Sequence, residues 1–374
     1  MDRDIVRGLA AWDTNDLPVT TLYLDADGRR FPRRGDLVRR GEDLARRACD
    51  EVDRANRAAY ESVCRDVQRI SEFLGGDLDR TGPVRGLALF ACSGAGLWQA
   101  VPLSQPVRDR LVVGPRPHLV PLEAVLEMAE TFCTAIVDRE KARIFLSSLA
   151  EIEEVSPVLD DVPGQHDQGG WAQARLQRHI EEHVQRHLKR VAEALLRLHQ
   201  RRRFDHLILA GPEETVAELE RELHDYVARR IVDRTSLSMA SSAADVLDHA
   251  LGLERDLEER REREAVRRVA EEARAGTGRA VAGMAATLAA LEENRVDTLV
   301  VRDGLEVAGV RCPSCGHLAV DGERCEACGE ATQGVPDLVE EAVEAGLRQR
   351  SRVETVRDGA ELERSGGIGA LLRF

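Results

Sequence analysis

Four of the eight cysteines stand in two matching pairs, Cys312-Pro313-Ser314-Cys315-Gly316 and Cys325-Glu326-Ala327-Cys328-Gly329. A Cys-x-x-Cys turn aims two thiolates at one point, and the glycine after it lets the chain turn tightly. Two such turns make a closed tetrahedral site for zinc. Cys312, Cys315, Cys325 and Cys328 are therefore the expected ligands of a structural Zn2+ with no open position for catalysis. The loop joining the pairs is short, which points to a compact knuckle rather than a full ribbon. A disulfide pair competes with this reading but is disfavoured in a reducing compartment. A redox Cys-x-x-Cys would not need a second copy, and His317 is a spare donor. The other four, Cys49, Cys64, Cys92 and Cys133, read as isolated, small, buried hydrophobes.

A second constellation is Gln168-Gly169-Gly170-Trp171-Ala172-Gln173, followed by a basic helical pattern to about residue 200. Without Cβ atoms, Gly169 and Gly170 let backbone amides approach a partner closely. The helix start behind them offers free N–H groups to anions. Arg175, Arg178, Arg186, Lys189 and Arg190 could meet RNA phosphates, as could His179, His183 and His187 if protonated. The apolar stripe Leu176, Ile180, Val184, Leu188, Val191, Leu195 and Leu198 should pack on a sheet and turn the basic residues outward. A mobile loop and an ordinary solvated helix are the plain alternative. The three histidines share a face at i, i+4 and i+8, but no carboxylate or cysteine nearby completes a metal site.

The elements that must carry these residues suggest an α/β (α+β) chain of three domains: 1–123, 124–275 with the diglycine loop and basic helix, and 276–374 with the zinc knuckle at 312–328. In the first, a β-rich run at 19–24 precedes one helical pattern over 36–74, and strands at 86–91 and 97–101 flank a glycine turn. Pro115, Pro117 and Pro121 suggest an extended linker. In the second, strands are expected at 132–137, 142–146, 151–155 and 207–210, and helices at 213–228 and 243–273. The tract 253–274 is almost solidly charged and reads as an exposed, salt-bridged helix. In the third, an alanine-rich helix is expected over 279–292, then a strand at 296–301, a helix at 336–349, a strand at 352–356, a short helix at 359–364 and a last strand after Gly366-Gly367.

On the diglycine, the spacing of Arg175 and Arg178, the long following helix and a terminal α/β domain with an inserted zinc knuckle, the chain resembles the archaeo-eukaryotic class-I release factors. Its overall pattern, ending in Gly366-Gly367-Ile368-Gly369, is similar to their bacterial, Pelota- and Balon-related branch. The resemblance implies a three-domain release-factor-like architecture with mixed sheets. It implies a Gly-Gly-Gln tip, here variant, that enters the peptidyl-transferase centre and promotes hydrolysis of peptidyl-tRNA. It also implies the ribosome as partner, through ribosomal RNA and peptidyl-tRNA, and a translational GTPase docked on the terminal domain. The catalytic positions that carry over are Gly169, Gly170 and Trp171, with Gln173 offering the amide side chain that Trp171 lacks. The Trp171 amide could still serve an oxyanion, or its ring could stack on RNA. No Asn-Ile-Lys-Ser motif is present, so stop-codon reading is unsupported.

Charge bounds these expectations. The 374 residues carry a net −14 and only 3% aromatics, which argues against non-specific coating of DNA or an anionic membrane. No apolar stretch is long enough to span a bilayer, and the N-terminus lacks a signal pattern, so a cytoplasmic protein is expected. Three functions stand: codon-independent peptidyl-tRNA hydrolysis in ribosome rescue, non-catalytic ribosome hibernation or recycling, and a zinc-stabilised protein-interaction module.

Overall fold

A computed structural model describes residues 3–76, 84–159, 173–356 and 360–374. The chain begins with α1 (Arg3–Ala10), β1 (Val19–Asp25), α2 (Arg34–Glu51), α3 (Arg57–Gly76), β2 (Gly86–Cys92), β3 (Leu97–Leu103), β4 (Arg110–Gly114) and α4 (Val120–Met128). The strands form an antiparallel sheet in the order β3-β2-β1-β4. Every residue of β1 and β2 is buried, because both sheet faces are covered. Leu22, Leu24, Leu87 and Leu89 meet Leu37, Ile70 and Leu74 of α2 and α3. Val19, Tyr23, Ala88 and Phe90 meet Leu9 of α1 and Leu122 and Val125 of α4. This is the period-2 alternation of a strand used on both sides.

Two expectations change here. The single helical pattern over 36–74 is two helices, broken where Val52 is extended. The Asp53 side chain accepts from Ala55 N–H at 2.8 Å and Asn56 from Ala59 N–H at 3.2 Å, side-chain bonds that compete with the helical ladder and cap α3. The proline segment is not wholly extended: α4 starts with Pro at its first turn and packs onto the sheet.

The middle group is β5 (Phe132–Val137), β6 (Lys141–Ser148), β7 (Glu151–Leu159), α5 (Gln173–Arg202), β8 (His206–Ala210), α6 (Glu213–Glu222), α7 (Asp225–Ala228), β9 (Ile231–Thr235) and α8 (Ala243–Ala275). Its sheet runs β7-β6-β5-β8-β9, antiparallel over β7, β6 and β5 and parallel over β5, β8 and β9. The last group is β10 (Ala280–Ala282), α9 (Met284–Glu292), β11 (Val296–Arg302), β12 (Gly309–Arg311), β13 (Leu318–Ala319), β14 (Gln333–Val335), α10 (Leu338–Arg348), β15 (Arg352–Val356), α11 (Ala360–Glu363) and β16 (Ile368–Leu372). Its main sheet is mixed, in the order β10-β16-β11-β15, with a small sheet β13-β12-β14 beside it. The expected helix over 279–292 starts later: 280–282 pair antiparallel with β16, so tertiary pairing overrides alanine's helix propensity there.

The charged tract is the main correction. α8 is one helix, closed at its start by a Ser242–Asp245 capping box. Its first half packs Val246, Ala250, Leu253 and Leu257 under the middle sheet. Its second half packs Ala265, Val266 and Val269 under the C-terminal sheet. The charges between are not simply a solvated face, since Glu254 is buried and Glu258 and Arg261 are partly so. Arg85 and Arg29 of the N-terminal group pair with Glu258 and Glu259 at 2.6 and 3.6 Å. A second seam joins Arg108 to Asp337 at 3.0 Å and Arg110 to Glu344 at 2.7 Å. Among the described residues, no helix is long and apolar enough to cross a membrane.

Candidate nucleic-acid interface and metal centre

α5 is the crossover between the antiparallel and parallel halves of the middle sheet. Val184, Leu188, Val191 and Leu195 are buried against Cys133, Ala135, Leu207 and Leu209, which is the expected stripe from Val184 onward; the side chains of Leu176 and Ile180 fall outside the described residues. Arg186, Lys189 and Arg190 are exposed on the opposite face, where Glu181, Glu182 and Glu193 share the surface. The face is therefore cationic but mixed. His187 departs from the expectation: it is 1% exposed and lies on the packed side, between Val184 and Leu188. The row of three histidines is thus not one solvent face.

Gln173 is the first residue of α5, and Arg175 and Arg178 lie in its first two turns. Gly169, Gly170 and Trp171 fall outside the described residues. The backbone N–H groups of the first turn of α5 lack intrahelical acceptors and carry the positive end of the helix dipole. That end is where an anion is best received.

The cysteine quartet is brought together. Cys312 follows β12, β13 begins three residues after Cys315, and the second pair is bracketed by a bridge between Arg324 and Ala331. The two turns are built alike. Gly316 N–H donates to Cys312 O at 2.9 Å, and Gly329 N–H donates to Cys325 O at 2.8 Å. Gly316 has φ +79° and Gly329 φ +78°, a conformation that a side chain would strain. The four sulfurs lie within 4.8 Å of one another. Cys312 and Cys325 are buried, and Cys315 and Cys328 are exposed.

The donor set fits a cation. The backbone N–H of Cys315, opposed by desolvation and helped by the N–H of Ser314 and the neighbouring thiols, draws the pKa of Cys312 down to about 6. Cys315 receives help from the His317 N–H, yet the neighbouring sulfurs of Cys325, Cys328 and Cys312 push it up to about 12. Four thiolates at one point repel, and a divalent ion removes that repulsion. His317 is not part of the cluster, because its Nδ1 meets Glu292 Oε1 at 2.8 Å and so ties the knuckle to α9.

Two features escaped the sequence reading. Cys49 and Cys64 are not isolated: their sulfurs are 3.1 Å apart between α2 and α3, and both are half-buried. Glu130 is a junction between groups, meeting His206 at 3.0 Å, Arg261 of α8, and Arg352 of β15 at 3.7 Å. Burial alone would raise its carboxyl, but the bonds from His206 and Arg261 hold it down to about 2. The apolar positions 246, 250, 253 and 257, then 265, 266 and 269, were the signal that α8 faces two cores in turn.

The sequence profile of bacterial archaeo-eukaryotic release factor family 10 matches residues 117–255, and that of eRF1 domain 3 matches residues 260–374. Peptide chain release factor subunit 1 of Methanocaldococcus jannaschii is 28% identical over 309 residues, covering 75% of this chain and 72% of the relative. The protein of the same name from Thermococcus kodakarensis is 25% identical over 358 residues, covering 85% and 86%. Among solved structures, Archaeoglobus fulgidus Pelota aligns over 77% of this chain and 79% of its own, at 15% identity and a TM-score of 0.39.

Proposed function

Because the chain belongs to the archaeo-eukaryotic class-I release factor superfamily, we propose that it binds the ribosomal A site in the cytoplasm and hydrolyses peptidyl-tRNA without reading a codon, as a rescue factor. The observation that carries this reading is the placement of α5. It starts at Gln173, which follows the diglycine closely in sequence, and it leaves Arg186, Lys189 and Arg190 exposed. A release factor needs such a tip on a long helix that RNA phosphates can hold.

In the proposed reaction, water attacks the ester carbonyl that links the peptide to the tRNA. The tetrahedral oxyanion is met by the Trp171 amide N–H, and the Gln173 side chain orients the water. The ester C–O bond then breaks, and the terminal ribose oxygen leaves with a proton. Gly169 and Gly170 allow the close approach. Arg175, Arg178, Arg186, Lys189 and Arg190 position the helix on phosphates and take no part in the bond changes. Zn2+ on Cys312, Cys315, Cys325 and Cys328 stiffens the small sheet of the C-terminal group, whose outer surface would receive a translational GTPase.

One residue favours a second reading. Trp171 occupies the place of the family's glutamine, and an indole there suits stacking on RNA better than water placement. The protein would then occupy idle ribosomes as a hibernation factor without cleaving anything. Release of labelled peptide from stalled ribosomal complexes decides between them. Release that is lost in Gln173→Ala establishes the hydrolase. Ribosome binding without release establishes the occupant, and no co-sedimentation with ribosomes at low salt overturns both.

A further inference from the structure

At the far end of α5 from Gln173, an aromatic pair stands in solvent. The rings of His224 and Tyr226 stack with centroids 5.2 Å apart and planes 10° from parallel. The pair is held in place: His224 Nδ1 accepts from Tyr226 N–H at 3.2 Å, and the adjoining Val227 is buried in the core that α5 also lines. Tyr226 is nevertheless 65% exposed, and few large apolar side chains among the described residues are exposed.

Arginines outnumber carboxylates around the pair, with Asp205 and Asp225 exposed on the same surface. Arg201, Arg203 and Arg229 are exposed and Arg230 is half-buried. The Arg230 carbonyl accepts from Leu207 N–H at 2.6 Å, which joins the end of α7 to the start of β8, just past Arg203. Burial lowers the pKa of His199, and the nearby guanidiniums of Arg230 and Arg203 lower it further. Neighbouring Arg197 and Arg202 are paired with Glu193 and Glu153. Arg201, Arg203, Arg229 and Arg230 make no ion pair with a carboxylate among the described residues. In a chain of net charge −14, this corner is a local excess of positive charge.

We propose that the His224–Tyr226 pair is a stacking platform for an unpaired RNA base, with Arg201, Arg203, Arg229 and Arg230 receiving the flanking phosphates. A flat ring already fixed by a second ring and a backbone bond loses little freedom when a base settles on it. Base-on-aromatic stacking tolerates any base, and the guanidiniums supply the salt-dependent remainder. An acidic peptide would use the arginines but has no need of the ring face. The proposal rests on the ribosomal reading only for the source of the RNA.

The test titrates the full chain, at low salt, with a short single-stranded RNA carrying one 2-aminopurine, whose fluorescence falls when it stacks. Quenching is expected with the natural protein and with Tyr226→Phe. Tyr226→Ala should bind roughly tenfold more weakly or worse, and Arg229→Ala with Arg230→Ala should flatten the salt dependence. Equal quenching by Tyr226→Ala, or none with the natural protein, overturns the platform. An acidic peptide that displaces the RNA while binding Tyr226→Ala unchanged overturns it in favour of a protein partner. Ribosome sedimentation separates the two readings. Unchanged ribosome binding by Tyr226→Ala removes the platform and leaves the ribosomal role. Quenching without any ribosome binding removes the ribosomal role and leaves the platform.

Discussion

Arg85 Nη1 lies 2.6 Å from Glu258 Oε2, an ion pair between the N-terminal group and the helix that the other two groups share. Arg85 Nε also meets Asp27 Oδ2 at 3.2 Å, and Asp27 is held well below the usual carboxylate range; burial opposes this, but bonds from Arg29 and the charges of Arg29 and Arg85 outweigh it. Both members of the Arg85–Glu258 pair are less than a fifth exposed. Removing one partner leaves the other charged and poorly solvated, at a cost of about 3 kcal/mol. Arg85→Ala should therefore lower the urea midpoint clearly. The double variant Arg85→Ala, Glu258→Ala should lose less than the two single losses added, because fewer charges are stranded. Additive losses in a double-mutant cycle would show that the two groups do not interact.

Glu254 gives stability an unusual pH slope. It is buried in α8, and burial, with Glu258 and Glu130 nearby, pushes its pKa up to about 7 against the pull of Arg85 and Arg261. Glu354 in β15 is also pushed up to about 7, mainly by burial. A carboxyl raised in the folded state holds a proton that the unfolded chain has released between about pH 4.5 and 7. The folded state then binds more protons, so stability is fully present below pH 4.5 and falls as pH rises through 7. Glu130, held down to about 2, acts in the opposite sense and only at acid pH. The loss from Glu254 is about 3 kcal/mol at most. Glu254→Gln should make the fall in unfolding free energy between pH 5 and 8 shallower, with Glu354 keeping the remainder, and an unaltered slope in that variant would remove Glu254 as a source.

What could be read from residue order was local. The two Cys-x-x-Cys turns carry their own geometry, and Gly316 and Gly329 adopt the positive φ that their place predicts. The stripe of α5 was legible because a 3.6-residue period sustained over many turns belongs to a helix and cannot be produced by a strand. What could not be read depends on partners distant in sequence. Nothing near Glu258 announces Arg85, 173 residues away. Ile231-Val232-Asp233-Arg234-Thr235 is too polar to read as a strand, and becomes β9 because the edge of β8 is open to it. Cys49 and Cys64 looked isolated because helix packing, not spacing, joins them.

That pair carries a redox prediction. With sulfurs 3.1 Å apart and both residues half-buried, mild peroxide should couple Cys49 to Cys64. The two thiol hydrogens and the peroxide leave as two waters. The bond would close a loop across a separation of 15 residues, which stabilises a folded chain by about 3 kcal/mol where geometry is unstrained. A mass loss of two hydrogens and a higher urea midpoint are expected, both reversed by dithiothreitol and both absent in Cys49→Ser. Peroxide-treated protein that keeps both thiols titratable would show that α2 and α3 do not present them to each other.

Metal removal should act on one small region. If Cys312, Cys315, Cys325 and Cys328 hold zinc, purified protein contains one equivalent, and Cys312→Ser, which deletes a buried ligand, lowers it sharply. The consequence for folding follows from the two cores involved. β12, β13 and β14 are only two or three residues long, so few ladder bonds hold them and the knuckle is expected to contribute to their pairing. The main sheet instead rests on Leu299, Val301, Leu338, Val339, Ala342 and Ile368, all buried without help from the cysteines. A chelator should therefore speed amide exchange in 309–335 while β11 and β16 stay protected. Equal loss of protection in both would mean that the knuckle supports the whole C-terminal group, through Leu318 and Val335 where they pack on that core. No change in either would mean that the small sheet stands without a metal.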